Sequence, residues 1–262
     1  MKKIHLQKIE HTRKIGEKCE YIEPNILDDC IFYEDDKPIG FFIKSIKGKL
    51  KQYVEIANKE FNGNDVPKVN MLRTNGPPSK MKLRGIKKIN QYSTIIGAVS
   101  PKPHLGRNYP SMHSNHQNTK CRNFIKAMLL ACKESEKIIK QIMPEQYEFQ
   151  KKCIEENVPK EFIFSELFTS SISNYNIPAP FHIDKLNLKG CVNVIITKRL
   201  NAKGGNLHVP DYNATIDSRN NSLLVYPAWR NMHGVTPIIP THEGGYRNSL
   251  VFYPLKSFKK YV

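Results

Sequence analysis

The sequence has few of the features that mark secreted, membrane-spanning or zinc-stabilised proteins. None of its six cysteines forms a C-x-x-C pair, so a structural zinc site is not expected. No apolar run is long enough to cross a bilayer, and the first residues, MKKIHLQKIEHTRK, lack the apolar stretch of a secretory signal. We therefore expect an intracellular protein with reduced thiols that does not associate with membranes.

The composition is that of a globular domain with a strong positive charge. The 262 residues are 39% hydrophobic and 25% charged, which predicts one domain over residues 1–262, and we expect a monomer. The net charge of +17 suits a polyanionic partner such as nucleic acid. The same excess is also typical of chains rich in Lys, Asn and Ile, as this one is, so charge alone leaves the partner open.

The predicted secondary structure changes near residue 160. Before that point we predict a hairpin, a helix, a basic loop-rich stretch and two further helices, over 28–46, 48–61, 62–118, 119–142 and 145–157. From Phe162 onwards, short strand-like runs alternate with Gly, Asn and Pro. The pattern predicts an α+β protein with a mainly β core, a double-stranded β-helix (jelly-roll) over 159–258 packed against helices within residues 1–158.

Two histidines and an aspartate have the order of a non-haem iron site. His182-Ile183-Asp184 forms an H-x-D motif, and residues i and i+2 of an extended segment point to the same side. His233 follows in MHGVTPI and supplies a distal ligand. Two histidines and one carboxylate on one face of Fe(II) leave positions open for 2-oxoglutarate and dioxygen.

An arginine after the second histidine completes the pattern. Arg247 lies fourteen residues beyond His233 in YRNSLVFY, and a guanidinium can hold a carboxylate of 2-oxoglutarate with paired hydrogen bonds. Ser249 follows on the same strand face and adds a hydroxyl donor. Each motif alone is a weak signal. The ordered set H-x-D, G-G-x-L-x-x-P, H-G-x-T-P and R-x-S favours an oxygenase over a purely structural explanation.

The segment from Pro180 to Leu255 resembles one branch of the 2-oxoglutarate oxygenases. FHIDKLNLKGCVNVIIT, NSLLVYPAWRNMHGVTPI and RNSLVFY are similar to segments of the ten-eleven-translocation 5-methylcytosine dioxygenases and base-J thymine hydroxylases, in particular their small phage- or protist-type members. The resemblance implies a jelly-roll enzyme that uses Fe(II), 2-oxoglutarate and dioxygen. It also implies oxidation of the 5-methyl group of 5-methylcytosine in DNA.

The resemblance also assigns roles to single residues. It places iron on His182, Asp184 and His233, and 2-oxoglutarate on Arg247 and Ser249.

For the substrate, the resemblance implies that Asn187 hydrogen-bonds a flipped base and that Tyr253 stacks on it. Where the animal enzymes carry a base-contacting histidine, this chain has Leu255. This departure leaves thymine, oxidised to 5-hydroxymethyluracil, as an alternative substrate.

Residues 91–116 weakly resemble the part of the family that meets DNA before the core. Arg84, Lys102 and Arg107 are therefore candidate phosphate contacts in the 1–158 part, although each could equally belong to a solvated basic loop.

Three interpretations compete with a DNA oxygenase. The same iron chemistry could act on a protein side chain or a small molecule. The fold could serve as a non-catalytic nucleic-acid-binding module, or as a cupin-type metalloprotein that uses no 2-oxoglutarate. The complete H-x-D, H and R-x-S set counts against the last two interpretations.

Overall fold

A computed structural model describes residues 1–71 and 90–258 of the chain. The α-helices of these residues are α1 Gly48–Asn62, α2 Ser114–Gln117, α3 Arg122–Ile142 and α4 Pro144–Asn157. The strands before α3 are β1 Lys2–His5, β2 Cys30–Glu34, β3 Lys37–Ile43, β4 Val69–Asn70, β5 Tyr92–Val99 and β6 Ser111–Met112. Those after α4 are β7 Ser170–Tyr175, β8 Ala179–His182, β9 Asn193–Leu200, β10 Ala202–Gly204, β11 Leu207–Val209, β12 Ala214–Ile216, β13 Ser222–Tyr226, β14 His233–Val235, β15 Ile238–Pro240 and β16 Tyr246–Tyr253.

One large sheet carries most of the molecule. Its strands follow the order β1-β2-β3-β13-β9-β16-β7-β5-β4, and β6 pairs with β5. The β1–β2 pair is parallel, and the other pairs along this order are antiparallel. The strand β16 lies between β9 and β7, with Arg247 opposite Arg199 and Ser249 opposite Thr197. The centre of the sheet is therefore built from strands of the second half of the chain.

Helices cover one face of the large sheet. The apolar side of α3, which includes Phe124 and Met128, packs with α1 and with Leu250 and Phe252 of β16 in one buried cluster. The apolar positions of α3 recur every three or four residues, as a helix buried on one side requires. Pro144 opens α4 at a position where a missing backbone N–H costs nothing.

A smaller sheet covers part of the opposite face. It has the order β12-β11-β14-β8. A second apolar cluster joins Leu207, Val209 and Ile216 of this sheet to Phe32 and Leu224 of the large one, so the two sheets face each other. Because side chains alternate along a strand, Arg247 and Ser249 point away from the helix-covered face that Leu250 and Phe252 occupy. They point into the space between the sheets.

The predicted α+β class with a mainly β core is confirmed, as are the hairpin, α1, α3 and α4. The expectation of a loop-rich stretch over 62–118 is wrong for β5, which pairs with β7 along its length and is largely buried. Because β1 to β5 join the large sheet, residue 159 does not separate helices from sheet. Within the described ranges, no helix is long and apolar enough to cross a membrane.

Candidate metal centre and anion pocket

The structure brings His182, Asp184 and His233 together at one edge of the small sheet. His182 ends β8 and His233 begins β14, and the two residues are directly paired across these strands. Their ring centroids are 4.3 Å apart. One ligand atom from each of the three residues can be chosen so that all lie within 4.8 Å of one another. This set of two imidazoles and one carboxylate fits a divalent transition metal such as Fe(II).

Both histidines are oriented by backbone carbonyl groups. The Nδ1 atom of His182 lies 2.8 Å from the Pro180 oxygen, and that of His233 lies 3.0 Å from the Asn231 oxygen. A carbonyl oxygen only accepts, so each Nδ1 must carry the proton and donate it. In the neutral form of each ring, Nε2 is then unprotonated and available as a metal ligand.

The two oxygens of Asp184 have different tasks. Asn193 donates a hydrogen bond from Nδ2 to Oδ2 of Asp184 at 3.1 Å, and Asn187 donates to the same oxygen at 3.4 Å. Asn187 also donates to Oδ1 of Asn193 at 3.0 Å. The other carboxylate oxygen, Oδ1, faces His182 Nε2 at 3.5 Å. These amides leave Oδ1 as the oxygen available to a metal.

The local electrostatics favour the deprotonated ligands that a metal needs. Burial, together with the charge of His182, lowers the pKa of His233 to about 4, so this ring is neutral at physiological pH. Burial alone would raise the pKa of Asp184, but the hydrogen bond with His182, with a further contribution from the hydrogen bond of Asn193, holds that pKa below its ordinary value. Protons therefore compete weakly with a metal at these two positions.

Arg247 is a buried cation without an acidic partner among the residues described. It is 3% exposed, and its guanidinium donates one hydrogen bond, from Nη1 to Oγ of Ser249 at 3.1 Å. Its Nε atom is buried and has no partner in this part of the chain. Burial, and then the neighbouring Arg199, lower the pKa of Arg247 to about 10, which leaves it charged at neutral pH. A buried charge is costly unless it is paired, so an anion bound beside Arg247 would stabilise it.

Ser249 fits the same anion. Because its Oγ accepts from Arg247, its own hydroxyl hydrogen remains to be donated. Arg199, directly opposite Arg247, already has an acidic partner in Asp217 at 2.8 Å. Arg247 and Ser249 therefore provide hydrogen-bond donors for one carboxylate between the sheets, and we call this pair the anion pocket. The pocket and the metal ligands have the chemistry that 2-oxoglutarate requires.

The residues expected to contact a substrate also lie beside the metal ligands. Asn187 pairs with Leu255 in an isolated antiparallel bridge, so the loop after Asp184 runs along the end of β16. Tyr253 is half-buried, and burial and then the nearby charge of Asp184 raise its pKa. Leu255 is 6% exposed and packs with Leu188 and Phe258. An apolar neighbourhood thus accounts for the leucine at this position.

Two of the three predicted phosphate contacts, Lys102 and Arg107, lie within the described residues. Lys102 and Arg107 form a bridge at the base of the loop between β5 and β6, with Lys102 exposed and Arg107 half-buried. Arg84 lies outside the described residues.

Two supporting residues were not found from the sequence. Asn193 is a polar residue inside the apolar run CVNVII, which is the one local signal it gives. Asn231 holds His233 through its carbonyl, and its side chain donates to Asp211 at 3.1 Å and to Tyr212 at 3.2 Å. The side-chain contacts of Asn193 and Asn231 do not follow from sequence spacing, because their partners lie nine or more residues away along the chain.

Replacing Asn193 with alanine is expected to weaken metal binding by roughly tenfold or more, the range found for residues that orient metal ligands. The change removes a hydrogen bond that fixes Asp184. Anaerobic titration with Mn(II) or Fe(II) measures the effect. The matched control is Asn58→Ala, because Asn58 is also buried and bonds Tyr246 and Asn248 away from the metal ligands. Equal metal affinities in the two variants would contradict this role of Asn193.

Comparison with known proteins supports the fold. No protein-family model and no curated protein matches the sequence. The structure of NgTET1 in complex with 5mC DNA aligns with a TM-score of 0.61 and 14% identity, over 94% of this chain and 84% of that one. OsALKBH1 aligns more weakly, with a TM-score of 0.41 and 14% identity, over 83% of this chain and 97% of that one. An oxidoreductase of the 2OG-Fe(II) oxygenase family from Burkholderia pseudomallei aligns with a TM-score of 0.37 and 12% identity, over 82% of this chain and 93% of that one. The chain therefore shares its overall fold with NgTET1.

Proposed function

We propose that this protein is an Fe(II)- and 2-oxoglutarate-dependent dioxygenase that hydroxylates the 5-methyl group of 5-methylcytosine in DNA. The observation that carries the proposal is the pairing of a His182, Asp184 and His233 cluster with a buried Arg247 that has no acidic partner among the described residues. A structural metal site has no need of that arginine, whereas an oxygenase that binds a dicarboxylate does. We infer that the two facing sheets form the double-stranded β-helix of such enzymes.

Each residue then has a defined task. His182, His233 and Oδ1 of Asp184 would hold Fe(II), and the bound metal with 2-oxoglutarate would supply the oxidising chemistry that an unreactive C–H bond needs. Arg247 and Ser249 hold the carboxylate of 2-oxoglutarate that lies farther from the metal. Asn187 and Asn193 keep Asp184 in place by donating to its second oxygen. The burial of Arg247 and His233 keeps bulk water away from these charges.

Three observations support a DNA base as the substrate. The net charge of +17 suits a phosphate backbone, and the NgTET1 structure that shares this fold is a complex with 5mC DNA. The side-chain nitrogen of Asn187 donates hydrogen bonds to Asp184 and Asn193. Its side-chain oxygen therefore remains to accept a hydrogen bond from the edge of a base. A methyl group within a stacked duplex is shielded, so the base must be flipped out. Tyr253 offers a ring on which a flipped base can stack.

Nucleoside mass spectrometry tests the proposal directly. The protein is reconstituted with Fe(II) and 2-oxoglutarate without oxygen and is then exposed to air with two DNAs. One DNA is fully methylated at cytosine C5, and the other is unmodified. We expect 5-methylcytosine to gain the mass of one oxygen atom, with consumption of 2-oxoglutarate in step.

Other outcomes separate the alternatives. A gain of oxygen on thymidine in both DNAs would move the activity to thymine. Consumption of 2-oxoglutarate with neither base changed would point to a protein or small-molecule substrate. Failure to bind or consume 2-oxoglutarate would leave a nucleic-acid-binding module or a metalloprotein of another kind.

A further inference from the structure

We infer that Arg199 is a positioning residue for the 2-oxoglutarate pocket, and that it acts on Arg247 through the glycine turn Gly204–Gly205. The inference rests on the proposed function, because it takes Arg247 as the residue that binds 2-oxoglutarate. Arg199 does not itself contact the anion. It fixes the wall against which the guanidinium of Arg247 rests.

The wall is the backbone of Gly205. A Cβ atom placed on Gly205 would lie 3.0 Å from Cδ and 3.2 Å from Nε of Arg247. The backbone φ of Gly205 is +67°, a value that side-chain-bearing residues rarely adopt. Its amide donates to the Pro237 oxygen at 3.0 Å. Glycine is therefore required here by the close approach of Arg247 and by the turn itself.

Arg199 holds the turn from the other side. Its Nη1 atom donates to the carbonyl oxygen of Gly204 at 2.9 Å and to Oδ1 of Asn206 at 3.2 Å. Its Nη2 atom donates to Oδ1 of Asp217 at 2.8 Å. The two ends of one planar guanidinium thus tie the turn to Asp217. A lysine has a single ammonium group and cannot make this pair of contacts with the same geometry.

Arg199 has an acidic partner in Asp217, whereas Arg247 has none among the residues that the structure describes. Asp217 binds Arg199 through Oδ1 and Arg219 through Oδ2, the latter at 2.8 Å from Nε of Arg219. Arg199 lies directly opposite Arg247 on the neighbouring strand. Without Asp217, two adjacent cations would repel each other across the strands. The positioning role of Arg199 therefore rests on its contacts with the Gly204–Gly205 turn.

Arg219 provides a matched control. Removing either arginine deletes one positive charge that contacts Asp217, but only Arg199 touches the Gly204 carbonyl. We expect Arg199→Gln and Arg199→Lys each to raise the dissociation constant for 2-oxoglutarate roughly tenfold, a size typical of supporting residues. Arg219→Gln should change it by less than about twofold, the scatter expected of a distant surface change.

Calorimetric titration with 2-oxoglutarate in the presence of redox-inert Mn(II) measures these constants. The Mn(II) affinity and the thermal midpoint of each variant are measured in parallel. In steady-state assays of the Arg199 variants, we expect KM for 2-oxoglutarate to rise and kcat to remain at the wild-type value. Wild-type affinity in Arg199→Lys, or equal losses in Arg199→Gln and Arg219→Gln, would overturn the inference and leave the proposed function standing. If the wild-type protein bound no 2-oxoglutarate, the inference and the proposed function would both be wrong. Should the Arg199 variants not fold, Gly205→Ala, which pushes on Arg247 directly, must raise the same constant, and an unchanged value overturns the inference.

Discussion

Replacing Asp184 with alanine is expected to abolish metal binding and, with it, all consumption of 2-oxoglutarate. The variant loses the sole carboxylate of the cluster and leaves the amides of Asn193 and Asn187 without their acceptor. The loss of metal affinity should exceed the roughly 10- to 100-fold that removal of a supporting residue causes. Anaerobic metal titration and succinate production measure the two effects separately.

The control for Asp184→Ala is Lys185→Ala. Lys185 is the next residue along the chain, is exposed and belongs to no part of the metal cluster. This variant should bind metal like the wild type, which separates loss of a ligand from disturbance of the loop. Normal succinate production by purified Asp184→Ala would show that the metal assignment is wrong.

Replacing Arg247 with methionine is expected to abolish 2-oxoglutarate binding while making the cofactor-free protein more stable. Loss of a buried, hydrogen-bonded charge partner costs about 2–5 kcal/mol of binding free energy, or roughly 1.5 to 3.5 orders of magnitude in affinity. Without an anion, however, Arg247 is a buried cation with an unpartnered Nε. A well-packed apolar side chain should therefore raise the free energy of unfolding, by about 1–4 kcal/mol.

Lys198 supplies the contrasting control for this effect. It is also a buried cation of the large sheet, but its Nζ donates to Glu55 at 2.6 Å and to Asn221 at 2.9 Å. Lys198→Met should lower stability, since it leaves these acceptors without their donor, and it should spare 2-oxoglutarate binding. Denaturant unfolding and calorimetric titration measure both quantities. Equal free energies of unfolding in Arg247→Met and Lys198→Met would contradict the view that Arg247 is a buried cation that lacks its anion.

The metal ligands could be predicted because their spacing is local. His182 and Asp184 are two residues apart on an extended segment, and that alone brings both side chains to one side. The supporting residues depend on contacts that no spacing reveals. Asn193 reaches Asp184 only because the loop between them returns to the start of β9. Arg199 meets Arg247 only through the register of β9 and β16.

The errors in the predicted secondary structure have a similar origin. The run YSTIIGAV has the apolar character of a buried strand, yet prolines and basic residues on both sides gave its surroundings the composition of a loop. The strand forms because β7 offers a partner along its whole length. Long-range pairing thus outweighed local composition. The helices, in contrast, were predicted well because their apolar periodicity lies within one segment.

The position of β16 has a consequence for how the protein reaches its folded state. Among the strands that the structure describes, β1, β2, β3, β13 and β9 lie on one side of it and β7, β5 and β4 on the other, so β16 connects the two halves of the large sheet. Because β16 follows all of these strands along the chain, a growing polypeptide can complete neither the sheet nor the Arg247 pocket until this segment has left the ribosome. Such non-local pairing makes folding slow. A chain that has been synthesised only as far as β14 would carry His182, Asp184 and His233 but not Arg247, so the proposed 2-oxoglutarate site would be the last to be completed.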